Sequence, residues 1–411
     1  MRNIVGYLAQ RVNLLVNPLS DSPRFAAECW HFERRSYVEQ SPPPLSLPKY
    51  RSDIDGLRAL AVLAVVAFHA FPKMVKGGFI GVDVFFVISG YLISSILFEN
   101  LEKGTFCFAT FYARRTKRIF PALILVLVSS YLFGKFVLFK DEFQQLTKHI
   151  EASAGFIQNI VLWKETGYFD NAASTKPLLH IWSLGVEEQF YLAWPLLIWL
   201  VWRCRISLPL VTLLIAVISF LLNLQYVHDA PMAAFYLPQT RFWELLCGSL
   251  IAWSHLHPTA AVNALHNRLF ANILSIVGFT LIITGFARIN MDSGFTGTWA
   301  LIPVAGTVLI ILSGAAWLNQ TLFGNKIAVW FGLISYPLYL WHWPLLAFAH
   351  IIQGEAPSPT YCAAAIAVAI ILSWLTYRLI EKPLRQSQRN WLIVPILSLL
   401  ITTTAYVALL S

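Results

Sequence analysis

Residues 53–90 read DIDGLRALAVLAVVAFHAFPKMVKGGFIGVDVFFVISG, and their reading decides the fold. Two apolar stretches are joined by the short link Pro72–Gly78. Each approaches the roughly 20 apolar residues that a helix needs to cross a bilayer. The first carries Arg58 and, eleven residues later, His69. Eleven steps of about 100° make three turns plus roughly 20°, so the two side chains share one helix face. They stand roughly 16 Å apart along its axis. Ionisable groups inside an apolar helix are costly, and a functional role is their default explanation. The second stretch raises the same question with Asp83 and Ser89.

The pattern extends along the chain. Of the 411 residues, 57% are hydrophobic and 12% charged, against about 25% charged in average soluble chains. Apolar runs recur at roughly 57–73, 78–98, 119–139, 180–202, 206–224, 240–256, 270–287, 299–318, 327–350, 360–380 and 391–410. The short alternating strands of a membrane barrel are missing, so the expected class is an all-α polytopic membrane bundle. Residues 1–48 read as a polar cytoplasmic tail, 49–386 as a ten-span unit and 387–411 as an eleventh span. The segment 140–179 is the longest loop, and its piece Ile150–Trp163 is expected to form an interfacial or re-entrant helix.

A net charge of +9 invites a nucleic-acid partner. The basic residues instead cluster in short links between apolar runs, at 99–118, 203–205 and 381–389, as topology signals do. That asymmetry places the N-terminus in the cytoplasm and the C-terminus outside it, and argues against nucleic acid. Cys29, Cys107, Cys204, Cys247 and Cys362 show no CxxC spacing, and no metal site is expected from them.

Several polar groups interrupt this apolar background. In FYARRTKRIFP at 111–121, Arg114, Arg115 and Arg118 form a basic cluster. Alone it anchors topology; functionally, guanidinium forks suit phosphate. In HIWSLGVEEQFYLAWP at 180–195, Glu187 and Glu188 enter a span, and His180, Glu187 and Tyr191 fall on one stripe, with Ser183 nearby. Arg241 and Glu244 have ion-pair spacing. His342 sits in SYPLYLWHWP, where prolines are expected to break the helix beside a cavity. EKPLR at 381–385 closes a span.

Taken in order, DGLRALAVLAVVAFH, GGFIGVDVFFVISGYLI, FYARRTKRIFPA, HIWSLGVEEQFY, YPLYLWHWP and EKPLR resemble the membrane acyltransferase family 3, over residues 50–386. These are O-acyltransferases that decorate bacterial surface glycans. The resemblance implies a ten-helix bundle in the bacterial inner membrane. It takes an acetyl group from cytoplasmic acetyl-CoA and passes it to a sugar hydroxyl of lipopolysaccharide O-antigen, capsule or peptidoglycan, free or lipid-linked, on the periplasmic face. It further implies that Arg58 and His69 are essential and that Arg114, Arg115 and Arg118 matter. The eleventh span resembles the subset that continues into an SGNH-hydrolase-like domain, which this sequence does not contain after Ser411.

On that footing Arg58, Arg114, Arg115 and Arg118 are candidates for the phosphates of acetyl-CoA. His69 is the candidate base or acyl acceptor. Glu187, Glu188 or Asp83 is the candidate group that orients it, and His180, Ser183, Tyr191 and His342 are candidates for the acceptor sugar. A carrier for a small solute, without covalent chemistry, is the alternative. A scaffold whose buried polar groups only fix helix packing is the third.

Overall fold

The computed structural model describes residues 50–166, 172–259, 267–290 and 295–411. The tail at 1–48, with Cys29, lies outside them. Among the described residues the structure is helical throughout, without a strand.

Helix α1 spans Ser52–Ala70 and carries Asp53 and Asp55 in its first turn, where carboxylates suit the positive end of the helix dipole. It stops at Phe71, ahead of Pro72, because the residue before a proline is pushed out of helical geometry. A 3-10 turn at Gly78–Ile80 leads into α2, Gly81–Glu102. Helix α3 covers Phe108–Val137. The basic cluster expected in a loop is therefore the opening of this long helix. The five residues 103–107 suffice for the reversal, and Arg, Lys and Ala are good helix formers.

The segment after α3 holds two helices, α4 (Lys140–Ala154) and α5 (Gln158–Glu165), with Phe156 between them in a left-handed conformation, φ 56°. The single helix expected at Ile150–Trp163 is thus divided at its centre. Next come α6 (Trp182–Arg203), α7 (Leu208–Asp229), α8 (Pro231–Tyr236) and α9 (Pro238–Leu256). The remaining helices are α10 (Arg268–Arg288), α11 (Leu301–Ser313), α12 (Lys326–Leu333), α13 (Ser335–Gln353), α14 (Pro359–Leu375), α15 (Lys382–Gln386) and α16 (Asn390–Leu409). The last packs on α3 and α4.

Helix thus stands at all eleven expected places, and six stretches among the described residues are long and apolar enough to cross a membrane. Two expectations need correction. The run at 299–318 gives only the 13 residues of α11. The run at 327–350 breaks at Ile334, not at its prolines. Pro337 falls in the first turn of α13, where a backbone N–H has no helical partner to lose.

The bundle has two ends. Glu102 meets His257 at one, with Gly332 packed on Asp55. Gly77 donates to Phe286 O at the other. Helices α2 and α9 cross in backbone contact, Gly90 against Leu245 O and Gly248 against Val87 O, and a Cβ on either would collide with the partner backbone. Small residues allow such crossings between helices. The outer helices present apolar side chains outward, such as Leu210, Leu214 and Leu221 of α7, so the polar groups collect inside.

Candidate functional site

The last turn of α1 places His69 beside α13. Its Nδ1 lies 2.9 Å from Nε2 of His342, and the rings stack with centroids 5.2 Å apart. His342 is buried, and its Nδ1 lies 3.1 Å from Leu338 O. A carbonyl only accepts, so that Nδ1 carries the proton. With both rings uncharged, His342 Nε2 then accepts and His69 Nδ1–H donates. The tautomer of His69 follows, with the lone pair on Nε2. That nitrogen makes no hydrogen bond among the described residues. His180 joins edge-on to His342 at 5.4 Å, its Nε2 donating to Leu340 O at 3.2 Å.

The expected partners of His69 are elsewhere, so that pairing is corrected. Asp83 accepts from Arg241 at 3.0 Å, and Arg241 meets Glu244 at 3.3 Å. This cluster is fully buried, with Phe86, Trp182 and Phe295 around the guanidinium. Glu187 and Glu188 line a cavity towards the other end of α1. The stripe of His180, Glu187 and Tyr191 holds in part. Tyr191 donates to Glu187 at 3.1 Å, whereas His180 lies in the 3-10 turn Leu179–Ile181 and packs on Tyr339.

The cavity measures about 400 Å³ and gathers Arg58, Arg115, Arg118 and Arg385 around Asp55, Glu187, Glu188 and Glu381. Arg58 pairs with Asp55 at 3.3 Å and Arg385 with Glu381 at 3.0 Å. Arg115 lies over the Tyr191 ring at 5.7 Å. Neither Arg115 nor Arg118 makes an ion pair among the described residues. Arg114 does not line the cavity. The residues three apart turn inward together, and their neighbour turns away.

Tyr339 stands between the cavity and the histidines. It lines the cavity, donates to His180 O at 2.6 Å and lies 2.6 Å from Ser183 Oγ. Its ring is 5.6 Å from that of His342. Of the expected site residues, Arg58, Arg115, Arg118, Ser183, Glu187, Glu188 and Tyr191 therefore share one cavity, and His69, His180 and His342 form a second cluster behind Tyr339. Asp83 belongs to neither. Sequence reasoning missed Tyr336, Tyr339, Glu381 and Arg385. The strings SYPLYLWHWP and EKPLR held the signal, but nothing local in them tells which side chains face a cavity.

A family model described as an acyltransferase domain matches residues 51–378. The peptidoglycan O-acetyltransferase OatA of Listeria monocytogenes is 33% identical over 354 residues, covering 82% of this chain and 56% of that protein. A Staphylococcus aureus protein provisionally named as an O-acetyltransferase is 30% identical, over 84% of this chain and 59% of its own length. A Bacillus subtilis protein provisionally named as a peptidoglycan O-acetyltransferase is 32% identical, over 82% and 55%. The chain spans little more than half the length of these relatives. No solved structure matches it.

Proposed function

The chain belongs to the acyltransferase domain family, and from that membership we propose that it transfers an acetyl group from acetyl-CoA to a hydroxyl of an envelope glycan. Peptidoglycan is the acceptor that the names of its relatives favour over O-antigen or capsule. One observation carries the proposal: α1 spans two sites of complementary chemistry. Near its start are the guanidinium groups of Arg115 and Arg118, which make no ion pair among the described residues, and at its end is His69, whose Nε2 makes no hydrogen bond among them.

The donor is a co-substrate with phosphates at one end and a thioester at the other. Arg115 and Arg118 suit the phosphates, because guanidinium forks match phosphate oxygens in pairs. Arg58 and His69 are roughly 16 Å apart along α1, of the order of a pantetheine arm. His69 Nε2 accepts the hydroxyl proton as the sugar oxygen attacks the thioester carbonyl. The C–S bond breaks, the proton passes from Nε2 to the departing sulfur, and an ester and a free thiol result. His342 holds the His69 tautomer this requires, as the third member of a triad does. On this proposal the Arg115 end faces the cytoplasm, where the donor is made, and the membrane is the inner one.

The test is expression in a bacterium whose own envelope O-acetylation has been deleted, followed by mild-base release of ester-linked acetate from purified peptidoglycan. Acetate above the vector control is expected. None, with the protein at normal membrane levels, would overturn the peptidoglycan acceptor. Acetate in another glycan fraction would reassign it, and uptake of a small solute without any acetate would favour a carrier.

A further inference from the structure

A second cavity lies where the ends of α2, α6 and α9 meet the start of α7. It is a groove of about 630 Å³ and shares no lining residue with the arginine cavity. Three indoles wall it, Trp199 and Trp202 of α6 and Trp253 of α9, with Phe106 beside them. Two of the indoles are held by their own packing. Trp199 stands edge-on to Phe108 at 6.0 Å, and Trp253 packs on Phe98 at 5.3 Å and on His257 at 4.2 Å. Arg203 and Arg205 complete the lining, and no Asp or Glu belongs to it. The carboxylates of the adjoining turn of α2 are matched elsewhere, Glu99 to Lys103 and Glu102 to His257.

Neither arginine makes an ion pair or a side-chain hydrogen bond among the described residues. For Arg203, the last residue of α6, the negative end of the helix dipole is reason enough for a cation. Arg205 has no such reason. It closes the helix in a left-handed conformation, φ 55°, its N–H bonded to Trp202 O and that of Ile206 to Val201 O. Glycine is the usual residue at this point of a helix end, because a Cβ is disfavoured there. A topology signal needs positive charge in this link, but a neighbouring position would serve it as well. An anion in the groove accounts for an arginine at this one.

We propose that the groove binds one anionic phospholipid, its phosphate held by Arg203 and Arg205. Guanidinium forks match phosphate oxygens in pairs, and basic pockets between membrane helices take such headgroups. Indoles settle at headgroup level, where their apolar body and polar N–H are both accommodated. The Ser207 hydroxyl, which does not cap α7, adds a donor. The rim decides for a lipid over a soluble phosphate. Leu200, Ile206 and Leu210 are each more than half exposed beside the groove, so acyl chains have an apolar surface to follow away from the phosphate. The site does not depend on acetyl transfer.

The experiment titrates the full chain in detergent with phosphatidylglycerol, or with phosphatidylcholine of the same acyl chains, and counts bound lipid by native mass spectrometry. Wild type should hold one phosphatidylglycerol about tenfold more tightly than phosphatidylcholine. An arginine beside anionic headgroups is worth about fivefold in affinity. The variant Arg203→Gln/Arg205→Gln should therefore bind phosphatidylglycerol about 25-fold less tightly. Arg205→Gly separates binding from folding. Glycine adopts the left-handed conformation freely, so this variant should unfold at the same or a higher temperature in lipid-free detergent and yet bind phosphatidylglycerol about fivefold less tightly. Equal affinity of wild type for the two lipids, or wild-type affinity for phosphatidylglycerol in the folded double variant, overturns the proposal. So does wild-type affinity in Arg205→Gly. Inorganic phosphate that displaces the lipid at a concentration near the lipid's own Kd would also overturn it, and would make the groove a site for a free anion.

Discussion

Replacing His342 by Phe tests the ordering of protons around His69. The phenyl ring retains the size and packing of the imidazole against His69 and Tyr339, but it removes the acceptor 2.9 Å from His69 Nδ1. His69 is half-buried, so its Nδ1–H loses a partner that water does not freely replace. An unpaired buried donor costs about 1–3 kcal/mol. If that cost falls on the productive tautomer, kcat drops by about 5- to 150-fold, at about 1.4 kcal/mol per factor of ten. His342→Gln is the control, because its amide oxygen can accept the same proton and should restore much of the rate. The assay is transfer of radiolabelled acetyl from acetyl-CoA to glycan in nanodiscs, corrected for folded protein. A His342→Phe enzyme as fast as wild type would refute the reasoning. So would a His342→Gln enzyme as slow as His342→Phe.

The double variant Arg115→Gln/Arg118→Gln should raise KM for acetyl-CoA at least tenfold and flatten its salt dependence, measured by initial rates across ionic strength. Arg241→Met removes the cation between Asp83 and Glu244 and should destabilise the protein by about 3–5 kcal/mol, as breaking a buried pair does. The check is thermal unfolding in detergent, with the affinity of the folded fraction for acetyl-CoA unchanged. At Glu165 burial alone would raise the carboxyl, but the hydrogen bonds and charges of His149 and Lys148 outweigh it and hold it down at about 2. A depressed pKa gives stability that is present above the ordinary value of 4.5 and lost as pH falls towards about 2. Hydrogen exchange in α4 and α5 should rise through that window in wild type and show no such step in Glu165→Gln.

The class of fold is legible in the sequence because a bilayer imposes one signal, a long apolar run, on every crossing segment. Arg58, Glu187, Glu188 and Arg115 stand out for the same reason: each is a charge in or beside such a run. What charges meet is not local. His69 and His342 are 273 residues apart, and Asp83 and Arg241 are 158 apart. Residue spacing along one helix carries no information on a neighbour brought in by packing. Reading along the chain therefore matches His69 to carboxylates that the structure gives to Arg241 and to the cavity. The helical start of α3 was hidden by its charge, since Arg114, Arg115, Lys117 and Arg118 lower hydropathy without weakening the helix. The break at Ile334 was hidden by Pro337, which looks like a helix breaker and serves as a first-turn residue.

The central claim is that His69 performs the chemistry on an acetyl group delivered from the arginine cavity. Its most direct test is a single measurement: purified protein in nanodiscs, radiolabelled acetyl-CoA and a soluble peptidoglycan fragment, with wild type beside His69→Ala. Ester-linked label in the glycan with wild type, and none with a folded His69→Ala that still binds acetyl-CoA, is the expected result. Equal labelling by the two proteins would contradict it and place the chemistry on another residue.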